Sequence, residues 1–208
     1  MKLNILFAVI SLAAVIHAAE PVISVDARHL PAKSENIVIR DGKLLFDGKT
    51  SCAELPKSAS PASYTWTAWV RPEKKAGSSV IVNKQGFHTT LKYSEWKVFF
   101  FSTYTDDRKL VQIRAPKRYE PGRWYFVSCG YDAATNRIWI GIDGEIADEK
   151  VLNRPLLPND GKYSFGCFPT SSDRGWFAGE IGGIDLYDQT IPETELEEMY
   201  RKTKDTWK

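Results

Sequence analysis

The run Trp124-Tyr-Phe-Val-Ser-Cys-Gly-Tyr-Asp132 decides the fold, together with Arg137-Ile-Trp-Ile-Gly-Ile142 and the Asp143-Gly144 that follows. Successive side chains of an extended chain point to opposite faces. Val127, Cys129 and Tyr131 therefore share one face, and Phe126, Ser128 and Gly130 the other. In the second run Ile138, Ile140 and Ile142 align, with Trp139 and Gly141 opposite. The intervening Asp132-Ala-Ala-Thr-Asn136 suits a hairpin, and Gly144 supplies the positive φ that ends the second strand. These are two paired strands, each with one face turned to a core.

Working outward, strand-like runs recur at 37–39, 43–46, 64–70, 79–83, 89–93, 97–104, 109–114, 162–168 and 176–187. Turn chemistry separates them: Asp41-Gly42, Asp47-Gly48, Pro121-Gly122 and Asn159-Asp160-Gly161. Many short strands with almost no helical periodicity predict an all-β antiparallel sandwich or jelly roll. One helix is expected at the C-terminus. Thr190 caps it, Pro192 occupies its first turn, and Leu196, Met199 and Tyr200 form its apolar stripe. It is short and is expected to dock on the edge of the sandwich.

The 208 residues carry 28 Lys and Arg against 26 Asp and Glu, which excludes a strongly basic nucleic-acid binder. Seven Trp, nine Tyr and ten Phe exclude an intrinsically disordered chain. At the N-terminus Lys2 precedes an apolar run from Leu3 to Ile16, and Ile16-His17-Ala18 fits a signal peptidase. Residues 1–18 read as a cleaved secretory signal, 19–35 as a leader lying along the surface, and 36–203 as one domain. No later apolar run has spanning length, so no membrane span is expected in the mature chain. The short basic start and single domain suggest a bacterial, secreted protein, extracellular or periplasmic. Export permits disulfides. Of Cys52, Cys129 and Cys167, Cys129 falls in an apolar strand and reads as a buried thiol, which leaves Cys52 and Cys167 to pair.

Phe46-Asp47-Gly48, Tyr64-Thr-Trp-Thr-Ala-Trp-Val-Arg-Pro72, Val82-Asn-Lys84, the two runs above and Phe177-Ala-Gly-Glu-Ile-Gly-Gly-Ile-Asp-Leu-Tyr-Asp188 come in a telling order. With the closing Ile191-Pro-Glu, they resemble the laminin-G-like jelly roll of the concanavalin A-like lectin/glucanase superfamily. The resemblance implies a scaffold shared by lectins, adhesion modules, hydrolases and lyases, so function must be read from a site. It also implies a structural calcium, with Asp47 and Asp185 at positions where such ligands occur. Both acids suit local turns and hydrogen bonds better than a metal.

Catalytic signals are thin. The acidic strand motifs of the superfamily's glucanases are absent, and Glu180 and Asp185 fall on opposite faces of a regular strand. His88, Gln112 and Arg114 supply residue types used by lyases, but not in the lyase order. Sugar rings stack on aromatic side chains, which singles out Trp96, Tyr104 and Trp176, with Arg108, Asp173 and Arg174 as hydroxyl partners. Trp96 and Trp176 suit stacking or packing alike, and Tyr104 fits packing better. Trp66, Trp69 and Trp124 are expected in packing positions. Phe99-Phe-Phe101 must turn at least one ring outward. The expectation is a secreted, non-catalytic module that binds a polysaccharide or a cell-surface protein through its concave sheet and loops. The alternatives are a hydrolase or lyase on the same scaffold, and an adhesion module without a small ligand. The near-neutral charge argues against an anionic glycan, unless a local Lys/Arg patch overrides it.

Overall fold

The computed structural model describes residues 19–74, 77–85, 89–169 and 175–207. Two antiparallel sheets face one another. The first has eight strands, in the order β13 (Glu145–Val151), β12 (Arg137–Ile142), β11 (Tyr125–Asp132), β6 (Tyr64–Pro72), β15 (Ala178–Tyr187), β4 (Lys43–Asp47) and β3 (Val38–Arg40). Its eighth strand, β1 (Ile23–Val25), also pairs with β15. The second sheet runs β10 (Leu110–Arg114), β9 (Phe99–Tyr104), β8 (Thr89–Ser94), β7 (Ser78–Lys84), β14 (Lys162–Phe165), β5 (Cys52–Lys57) and β2 (Lys33–Glu35). The jelly-roll sandwich expected from the alternation is the observed fold.

The β11–β12 hairpin pairs Val127 with Ile142 and Tyr131 with Ile138, so the faces read from the sequence are the faces buried. Asp132 holds the turn by accepting from the Ala134 N–H and the Thr135 hydroxyl. Asp143 and Gly144 both adopt positive φ, the geometry that reverses a two-residue hairpin. Between the sheets Trp66, 1% exposed, meets the rings of Tyr163 and Phe165 at 5.2 and 6.1 Å. Each such large side chain contributes roughly 1.5–3 kcal/mol by leaving water. Phe99 and Phe101 point into this core, while Phe100 lies on the outer face beside Lys92.

Four strands escape the sequence pattern. Glu145–Val151 is a charged edge strand, and charge on an edge deters pairing with other chains at the cost of the apolar signal. Cys52–Lys57 carries a proline and turns polar at its end. Ile23–Val25 and Lys33–Glu35 are too short to show a period, yet they pair with one sheet and the other, so these parts of 19–35 are not a surface leader. Cys52 and Cys167 are disulfide-bonded with Cα atoms 5.5 Å apart, and Cys129 is a buried free thiol.

The helix α1 (Glu193–Thr203) meets the edge strand β13, where the Ile146 N–H donates to Glu193 Oε1 at 2.7 Å, and covers part of the outer face of the eight-stranded sheet. Leu196 packs there with Trp69, Phe126, Trp139 and Tyr187 in a second apolar cluster. This face offers a seat because Trp69 and Phe126 alternate outward from strands whose other side forms the core. The Trp69 indole N–H donates to the Thr203 hydroxyl at 3.0 Å, which in turn donates to the Met199 carbonyl. Thr190 does not cap the helix. Pro192 stands at the N-cap, and the Thr190 hydroxyl is buried without a partner among the described residues.

Candidate binding groove

The sequence-selected aromatic residues do not form one site. Trp96 sits in the β8–β9 turn and is 67% exposed. Tyr104 ends β9, and Arg108 sits in the next turn with a φ of 62°. The length of β9 separates them from Trp96, roughly 17 Å at ~3.3 Å per residue. Trp176 is half-buried and precedes β15 at the Trp96 end, since the Gly175 carbonyl accepts the Val80 N–H and Gly77 bonds to Glu95. Asp173, Arg174 and His88 lie outside the described residues.

The two candidate calcium ligands are also apart. Asp47 is opposite Ala178 at the start of β15, and Asp185 lies seven residues further along that strand. That spacing is roughly 23 Å in an extended strand. Burial pushes the Asp47 carboxyl up, but the Thr50 hydroxyl and the N–H groups of Thr50, Lys49 and Ser51 outweigh it and hold it well below the usual range. Asp185 is raised by burial and accepts the Ser24 hydroxyl at 2.6 Å. Among the described residues no three His, Cys, Asp or Glu side chains gather where they could hold a metal. The pair does not fit a shared calcium site.

Glu180 and Asp185 share a face, contrary to the expectation from a regular strand. A register shift between Ile181 and Gly183 changes the phase, so Glu180 faces Arg71 and Asp185 faces Thr67. Four residue steps on β6 put them roughly 13 Å apart, beyond the ~5–9.5 Å that glycosidic carboxylates require. Glu180 is instead bonded to the Arg71 guanidinium at 2.6 Å.

A recess of about 700 Å³ opens where α1 and the chain end meet the eight-stranded sheet. Trp69 of β6 forms its floor. Trp124, just before β11, lines it together with Tyr200 and Trp207. The rings assemble closely: Trp69 stacks on Tyr200 at 5.8 Å, and Trp207 lies 6.2 Å from Trp69 and 5.1 Å from Trp124. Lys43, Arg71, Arg123 and Lys204 stand around them, with Asp143 and Asp205. Lys43 lies 5.6 Å from the Trp124 ring centre, and Lys204 lies 5.8 Å from that of Tyr200. Burial raises Asp143 above the ordinary carboxylate range, against the Phe126 N–H that it accepts and the nearby Arg123.

Sequence reasoning placed Trp69 and Trp124 in packing and gave Trp207 no role. Trp69 does pack, but on the outer face, where its upper edge meets the recess. One signal was available: in Tyr64–Pro72, Trp69 alternates out of phase with Trp66 and Ala68, so it cannot share their core.

Residues 47–197 match the family model Laminin_G_3, described as the concanavalin A-like lectin/glucanases superfamily, and the chain belongs to that family. The strand motifs had pointed to the same jelly roll. Solved structures of similar fold include the botulinum neurotoxin type G receptor binding domain, at 12% identity and a TM-score of 0.64, covering 82% of this chain and 45% of that one. The botulinum neurotoxin serotype D binding domain aligns at 13% identity and 0.64, covering 82% and 46%. The binding domain of Paraclostridial Mosquitocidal Protein 1 aligns at 15% and 0.64, covering 83% and 46%. This chain thus spans slightly less than half of each. At these identities the likeness is one of fold. No curated protein matches the sequence at a significant level. Among the described residues no helix is long and apolar enough to cross a membrane.

Proposed function

We propose that this domain is a secreted, non-catalytic binding module that holds a saccharide in the groove between α1 and the eight-stranded sheet. The observation that carries this reading is the meeting of Trp69, Trp124, Tyr200 and Trp207 in one recess with charged groups around it. Aromatic faces pack against the apolar C–H faces of sugar rings, and surrounding donors and acceptors orient the hydroxyls. A recess of about 700 Å³ lies within the usual size of a small-ligand site. The solved neighbours named as receptor-binding or binding domains are compatible with such a module acting on a cell-surface molecule. The wide separation of Glu180 and Asp185 supports binding rather than hydrolysis.

The test is binding of residues 19–208 to a polysaccharide panel, with calcium and with chelator. Binding lost in Trp124→Ala and Trp207→Ala, and kept in Trp96→Ala, is the expected outcome. Chelator is expected to leave it unchanged, because Asp47 and Asp185 do not converge. Binding lost only in Trp96→Ala would move the site to the β8–β9 turn. Shortening of the polymer would overturn the non-catalytic reading. A second reading, contact with an extracellular protein, is favoured by the exposure of Trp96 at the other end of the sandwich from Tyr104 and Arg108.

A further inference from the structure

We propose that the saccharide held in this groove is acidic, with its rings at the Trp124–Trp207 end and its carboxylates on Arg118 and Arg123. This rests on the saccharide reading above. Beside the aromatic recess lies a second one of about 580 Å³, lined by Lys117, Arg118 and Glu145 among others. The two share Arg123, Asp143 and Tyr200 in their linings, so they adjoin, and we take them as one trench with an aromatic end and a basic end.

The charge of the trench depends on which groups are already committed. Arg71 and Lys43 are drawn to Glu180 at 2.6 and 4.0 Å, and Glu120 is taken by Lys97 at 2.6 Å. Asp143 accepts the Phe126 N–H and keeps its charge beside Arg123. Glu145 and Asp205 line the trench as well, so its surplus of cations is small and lies on the side of Lys117 and Arg118. Among the described residues Lys117, Arg118, Arg123 and Lys204 have no ion-pair partner, and Lys117, Arg118 and Arg123 are all exposed. Guanidinium groups present paired N–H donors that match a carboxylate. The near-zero charge of the whole chain does not counter this, because charges more than ~10 Å away are largely screened at physiological salt. An anionic membrane surface would use the same cations. The aromatic rings lining the same trench favour a ring-shaped ligand over it.

The experiment compares polygalacturonate and alginate with their fully esterified, uncharged forms, by affinity electrophoresis of residues 19–208. Phosphatidylserine vesicles serve as a third probe. The acidic polymers are expected to bind at least ~10-fold more tightly than the esters, a difference of ~1.4 kcal/mol. Arg123→Ala and Trp124→Ala should each weaken that binding, with far-UV circular dichroism confirming the fold. Equal binding of acid and ester forms that still needs Trp124 would overturn the acidic class and leave the saccharide reading standing. Binding to no polymer, charged or neutral, would overturn both. Binding to the vesicles alone would overturn the proposal in favour of a membrane surface.

Discussion

Gly182 lies directly beneath the Trp207 indole, and a Cβ placed on it would fall 2.4 Å from the ring. The absence of a side chain at this position lets Trp207 close over the sheet and line the recess. Gly182→Ala should therefore expel the indole. The expected cost is about 1–3 kcal/mol for overpacking, read from urea unfolding. Saccharide binding should fall as far as in Trp207→Ala, and the double variant should lose no more than either single one. Additive losses would mean that Gly182 acts by some route other than Trp207.

The N-terminal end of the described chain is tied to the same helix. The Ala19 N–H donates to Glu195 Oε1 at 3.2 Å. Signal cleavage after Ala18 would turn this nitrogen into a charged amine and the contact into an ion pair. Protein secreted with its native signal is expected to begin at Ala19 by intact mass. It should be more stable by ~0.2–1 kcal/mol than a version carrying an additional Met, and Glu195→Gln should erase the difference.

The disulfide links Cys52 on β5 with Cys167, which follows β14 and is 115 residues away. Its removal by Cys52→Ala/Cys167→Ala is expected to cost about 2–4 kcal/mol, measured by urea unfolding against wild type. Cys129 should resist iodoacetamide until the protein unfolds, because it is fully buried and burial pushes its thiol pKa far up.

Lys84 gives the protein a distinctive pH dependence. It is fully buried, donates to the Ser58 carbonyl at 2.6 Å and lies 3.7 Å from the Tyr163 ring centre. Burial lowers its pKa to about 8, with Asp160 pulling the other way. An unfolded lysine titrates near ~10.4, so above pH ~8 the unfolded state holds a proton that the native state has released. Lys84 therefore contributes rising stability between those two pKa values. Cys129, raised in the native state, acts in the opposite sense above its unfolded pKa of ~8.5. The comparison is accordingly between wild type and Lys84→Met, by urea midpoints at pH ~7.5 and ~9.5. Lys84→Met should gain relative stability at the lower pH and lose that advantage at the higher. An identical pH profile for the two proteins would refute the assignment.

The strands with an apolar face are legible in the order of residues itself. Val127, Cys129 and Tyr131 point inward because alternation is a local property of extended chain, whatever the neighbouring strand. The disulfide partners are legible by elimination, since Cys129 belongs to such a strand. The charged edge strand Glu145–Val151 is not, because its solvent exposure removes the pattern that marks a strand. The face shared by Glu180 and Asp185 is not either, because one inserted residue at a bulge reverses every later assignment on that strand.

The amino-acid sequence by itself determined the sandwich, its inner faces and the apolar stripe of the closing helix, all set by residues only a few positions apart. The tertiary structure alone decided where the aromatic recess lies. Trp69, Trp124, Tyr200 and Trp207 come from strand, loop, helix and chain end, and no local period relates them. They meet because Trp69 of β6 and Phe126 of β11 turn outward and must be covered. The helix that covers them leaves a gap that four rings and a group of cations share.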